Sequence, residues 1–224
     1  MFDLTQYTTH RRGFLGKLAA AAALGVTGLT PLRLEGQPQP KTTLGADPAF
    51  EAWLNRIVGK HKMVFDAPEV NSGMPVVWPR VWLNSNNDSY GTTDAQNNAV
   101  VILRHGGIPL AFQDAMWAKY KFGEVFQLKD GDAPAVRNTF AKPLPLPLPG
   151  TGMEALLAAG AMFGVCNVAI TIYSGMVAKN MSMEPAAVKQ EWIANLLPGV
   201  QVVPSGVLGV SRSQEKGCAY CFAG

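Results

Sequence analysis

The chain has 224 residues, with 19 Lys and Arg against 16 Asp and Glu, a net charge of +3 and a sequence pI near 8.8. The basic excess sits in residues 1–45, which hold five basic residues (Arg11, Arg12, Lys17, Arg33, Lys41) and two acids (Asp3, Glu35). The remainder carries 14 of each and no basic stripe, which excludes nucleic acid as a partner.

The first feature in chain order is Arg11-Arg12, followed by Gly13-Phe14-Leu15, Lys17 and an apolar run from Leu18 to Leu32. A charged region ahead of a short apolar one is the layout of an export signal. The twin arginine with Phe-Leu after it resembles the Tat signal of bacteria, whose arginine pair is read by a receptor. That resemblance implies the Tat translocase as a partner and the periplasm as destination. The apolar run is shorter than the ~20 residues that span a bilayer comfortably. No clean Ala-x-Ala site follows it, and Thr43-Leu44-Gly45 is a small-x-small alternative. A cleaved leader and a retained N-terminal membrane anchor both stay open.

Residues 31–45 are rich in Pro, Gly, Gln and Thr and read as a linker. Residues 46–224 suit one domain with its own core. Asp47-Pro48 starts a helix over 48–59. "KMVFDA" (62–67) reads as a strand, and a helix is expected over 79–90. Val100 to Leu103 is apolar on both faces, as in a buried strand of a parallel sheet, and ends at Arg104-His105 and a glycine turn. A helix is expected over 109–120. The connection over 121–150 is long and proline-rich; its "KPLPLPLPG" favours polyproline II, and loops of that length are usually functional or disordered.

The last third alternates regularly. A helix closed by Gly160 leads to the strand "AMFGVC", which ends at Cys166, and an apolar helix that Asn167 caps. A helix from Pro185, the strand "VQVVP", a helix capped by Ser205 and a short strand "CAYCF" complete the chain. Strands alternating with helices of this length imply βαβ units and a mostly parallel sheet covered on both faces.

These segments resemble the DsrE/DsrF-like family of small sulfur-handling proteins. The resemblance rests on Gly164-Val165-Cys166, Leu197-Pro198-Gly199-Val200, Pro204-Ser205-Gly206-Val207, and Gln214 with Gly217. It covers residues 155–220 well and 60–120 loosely. It implies a flavodoxin-like three-layer α/β/α fold, usually oligomeric, and in the family's sulfur-relay members the cysteine at the strand end carries sulfur as a persulfide. Cys218 stands where that family commonly has tyrosine, and its relay members are cytoplasmic.

Three site readings follow. Cys166 ends a strand and precedes a helix, where a thiolate is favoured by the helix dipole and where α/β sheets bind ligands. A small buried hydrophobe is the competing role for that residue. His105 belongs to the same sheet edge and is placed in a cleft with Cys166, as a catalytic partner. Cys218 and Cys221 form a Cys-x-x-Cys pair that an oxidising compartment would join, if the tail turns; if it stays extended, residues three apart face opposite ways. The spacing favours the turn and a redox dithiol. No second Cys-x-x-Cys or paired histidines support zinc, and no phosphate loop, serine triad or haem motif occurs, so neither metal nor cofactor is expected.

Two functions remain. One is an exported sulfur-carrier or thiol-redox protein acting through Cys166. The other is a non-catalytic accessory or binding subunit of a periplasmic or membrane-associated complex, homo- or hetero-oligomeric. Exposure of Cys166 separates them, because a thiol sealed in the core favours the second.

Overall fold

The computed structural model describes residues 47–224; the export signal read at Arg11-Arg12 and the linker over 31–45 lie outside the described residues. Along the chain the elements are α1 (Pro48–Leu54), β1 (His61–Ala67), α2 (Met74–Tyr90) and β2 (Asn97–Leu103). A 3-10 stretch (His105–Ala111), α3 (Asp114–Lys119), α4 (Phe122–Val125) and a two-residue ladder of β3 (Lys129–Asp130) with β4 (Ala133–Pro134) follow. The last third holds α5 (Met153–Ala158), β5 (Met162–Cys166), α6 (Asn167–Asn180), α7 (Pro185–Ala194), β6 (Gln201–Val203), α8 (Gly206–Glu215) and β7 (Ala219–Phe222).

Local chemistry explains where several elements begin. The Asp47 carboxylate accepts the backbone N–H groups of Ala49 and Phe50 at the start of α1, and Pro48 fills a first-turn position that has no partner to lose. The Ser205 hydroxyl accepts the Leu208 N–H at the start of α8. At its other end α2 stops at Gly91, whose φ of +62° is left-handed and cheap only for glycine.

Five strands form one parallel sheet in the order β6-β5-β2-β1-β7. Because side chains alternate along a strand, each face of the sheet builds its own core. Val64, Val100, Ile102, Met162 and Val203 pack with Phe50, Trp53, Leu54 and Ile57 of the α1 segment. Phe65, Val101, Leu103, Phe163 and Val165 pack on the other face against α2, α3, α5, α6 and α7. The expected fold is therefore present: a flavodoxin-like three-layer α/β/α domain. The strand beside β1 at the sheet edge is the last in the chain.

Two expectations change. Helix α2 begins at Met74 rather than at Pro79, which lies inside it. The one backbone hydrogen bond that Pro79 removes is outweighed by burial of Val76, Pro79 and Leu83 against the sheet. The helix expected over 109–120 breaks at Phe112, whose extended backbone bridges Leu196, with Gln113 N bonded to Asn195 O and Leu197 N to Ala111 O. Tertiary pairing overrides helical spacing there.

The insert over 121–150 is anchored rather than detached. Phe122 is fully buried, with ring centroids 4.7 Å from Trp192 and 5.5 Å from Phe112. Buried Asn138 donates to the carbonyls of Leu110 and Phe112, and its own N–H donates to Asp114. The proline run at 143–149 forms neither helix nor strand.

Candidate functional site

The strand order reverses beside β1, and crevices at such points, beyond the carboxyl ends of the strands, are where open α/β sheets bind ligands. Asp66 of β1, Arg104 and His105 after β2, Cys166 at the end of β5 and Phe222 of β7 all reach this edge.

Its centre is an ion pair. Arg104 donates to Asp66 through Nε at 2.6 Å and Nη2 at 2.9 Å, and the Tyr220 hydroxyl donates to Asp66 Oδ2 at 3.0 Å. Asp66 is only 5% exposed, so the two-pronged partner compensates a carboxylate removed from water. The hydrogen-bonded Asp66 carboxylate raises the pKa of Arg104, and the nearby Cys166 sulfur acts in the same direction more weakly. Burial, and after it the bond to Asp66, raises the pKa of the Tyr220 hydroxyl. The N-terminus of α8 lies on the Arg104 side chain so closely that a Cβ at Gly206 would sit 2.5 Å from the Cβ of Arg104.

Cys166 lies where the sequence placed it, at a strand end and a helix start. It is 6% exposed, and it rather than Asn167 caps α6, its Sγ accepting the Ala169 N–H at 3.3 Å. Its Sγ therefore sits at the N-terminus of α6, on the Arg104 side of the sheet edge.

His105 is exposed and adopts φ +47°, with its ring edge-on to Tyr173 at 6.0 Å. It lines a cavity with Glu69 and Tyr173, and Cys166 does not line that cavity. The expected cleft shared by His105 and Cys166 is thus corrected. The turn before α2 and the α4 segment enclose His105 on one side, whereas Cys166 points into the core.

Cys218 and Cys221 correct a second expectation. The tail does not turn: Ala219–Phe222 is strand β7, paired with β1 from Met63 to Asp66. Cys218 joins the core on the α1 face, Cys221 packs against the opposite one, and all three cysteines are free. Burial pushes the Cys218 thiol up to about 11 and raises that of Cys221 as well, the reverse of what a redox thiol requires.

Asp66, Arg104 and Tyr220 were not selected from the sequence as site residues. The signal was there, since Asp66 is the one acid in the apolar run "MVFDA" and a buried charge needs a partner.

Among the described residues no helix is long and apolar enough to cross a membrane, and no group of three or more His, Cys, Asp or Glu is placed to hold a metal. No protein-family model matches the chain, and no curated protein matches it. Among solved structures the chain is similar to a protein of unknown function, MTH1491 from Methanobacterium thermoautotrophicum. That likeness has 18% identity and a TM-score of 0.38, and covers 73% of this chain and 99% of the other.

Proposed function

We propose that this domain is a binding or accessory subunit rather than a thiol-redox catalyst, exported under the signal at Arg11-Arg12 to a periplasmic or membrane-associated complex. The observation that carries this reading is the burial of Cys166, which caps α6 and is enclosed by core residues. The separation of Cys218 and Cys221 onto opposite faces of the sheet supports it. So does the outer stripe of α6, where Val168, Ile172 and Met176 recur every four residues, are 49–55% exposed and present apolar surface to a partner.

Iodoacetamide labelling of the native chain at neutral pH, followed by peptide mapping, tests the reading. Cys166 is expected to stay unlabelled until denaturant is added. Rapid labelling of Cys166 in the native protein, or a persulfide on it in protein purified from the periplasm, overturns the proposal.

A second reading keeps sulfur carriage on Cys166, in line with the DsrE-like resemblance. It is favoured by one observation: the sulfur lies at a helix N-terminus with the charge of Arg104 nearby. The same labelling experiment decides between the two.

A further inference from the structure

We infer that the cavity beside His105 is a binding site for a small organic cation, an alkylammonium or quaternary ammonium group. The inference is independent of the role assigned to Cys166. The cavity, about 340 Å3, lies beyond the carboxyl ends of β1 and β2, between the turn into α2, the turn after β2, the α4 segment and α6. That volume is near the lower end of the usual range for small-molecule sites, ~300–1,000 Å3.

Its lining combines one carboxylate with an aromatic wall. Glu69 is the only acidic side chain among the described residues that line it, and no Lys or Arg is among them. Glu69 also makes none of the ion pairs found among the described residues. Across from it, the Phe126 and Tyr173 rings meet at 4.8 Å and 45°, and His105 stands edge-on to Tyr173. Aromatic faces attract cations, and a carboxylate adds a fixed counter-charge. The field of Glu69 reaches that wall: the pKa of Tyr173 is raised by burial first and by Glu69 second.

The backbone that lines the cavity is strained at three positions. Asn71, His105 and Gln127 line it, and each holds a left-handed φ, at +38°, +47° and +56° respectively. Non-glycine residues rarely adopt such angles, and they concentrate at ligand clamps and active sites. An anionic ligand is disfavoured, because it would meet Glu69 with only the His105 imidazole to offset it.

Isothermal titration calorimetry of the full chain at pH 7.5 tests the site, with choline and n-butylammonium as cations and thiosulfate as the anionic counterpart. Saturable binding of at least one cation, without binding of thiosulfate, is expected. Glu69→Gln should weaken it roughly tenfold or more, the scale of a lost bond to a charged group. Tyr173→Leu should also weaken it. Glu69 is exposed and unpaired among the described residues, so Glu69→Gln should unfold at the wild-type temperature. Failure of both cations to bind, preference for thiosulfate, or unchanged cation affinity in Glu69→Gln overturns the proposal.

Discussion

Arg104 reaches across from the end of β2 to hold Asp66 of β1 by two hydrogen bonds, 38 residues apart in sequence. The pair closes the carboxyl edge of the sheet at the point where strand order reverses. Replacing Arg104 by Met removes the charge and leaves Asp66 buried with only Tyr220 as a partner. The expected loss is about 2 kcal/mol, less than for a fully buried pair because the Arg104 side chain is 29% exposed. Asp66→Asn with Arg104→Met should recover part of that loss. Urea denaturation of the four proteins of the cycle measures it, and additive single effects would show that the pair is uncoupled.

Cys218 should give the protein a pH-dependent stability that an alanine at that position lacks. Its thiol is raised from an ordinary value of 9.0 to about 11 by burial. Between these values the unfolded chain has released a proton that the folded one still holds, so stability falls as pH rises from 9 towards 11. The fall attributable to this group is about 2 kcal/mol. Denaturation curves of wild type and Cys218→Ala from pH 8 to 11 should show the steeper decline in wild type alone. Non-reduced peptide mapping should find no Cys218–Cys221 link, and thermal unfolding should be insensitive to reductant.

Cys166 has a structural duty that separates two conservative replacements. Serine keeps an acceptor for the Ala169 N–H, whereas alanine leaves the first turn of α6 uncapped. Cys166→Ala should cost about 1 kcal/mol more than Cys166→Ser. Equal thermal stabilities would show that the cap contributes nothing.

The anchoring of the insert can be read from Gly123. A Cβ there would lie 2.3 Å from both the backbone nitrogen and oxygen of Ala135, neither of which is the end of a flexible side chain. Gly123→Ala should therefore cost about 3 kcal/mol through overpacking. Limited proteolysis should then cut within residues 121–150 of the variant before the wild type. Identical cleavage rates would mean that the insert carries no such constraint.

The proposed export under Arg11 and Arg12, which lie outside the described residues, is tested in cells. Replacing both by lysine keeps the charge but removes the guanidinium pair that the receptor reads. The variant should accumulate in the cytoplasm while the wild type reaches the periplasm. Normal periplasmic recovery of the Lys-Lys variant would remove the Tat assignment.

The amino-acid sequence by itself determined the class of the domain. Its signals are local: the unbroken apolar run Val100–Leu103, the strand closing at Cys166, and the caps at Asp47 and Ser205 each depend on residues within one turn or strand of each other. Strand alternation also contained the two possible fates of Cys218 and Cys221, but not the choice between them, because pairing with β1 that keeps the tail extended comes from residues about 155 positions away. Tertiary structure alone decided the rest. Phe112 leaves helical spacing to bridge Leu196, Asp66 finds Arg104 and Tyr220 across 38 and 154 residues, and Glu69, His105, Phe126 and Tyr173 converge from four separate segments. The physical reason is the same in each case. Periodicity and capping report short-range preferences of the backbone, whereas a buried charge or a cavity is satisfied by whichever distant groups the packed layers bring to it.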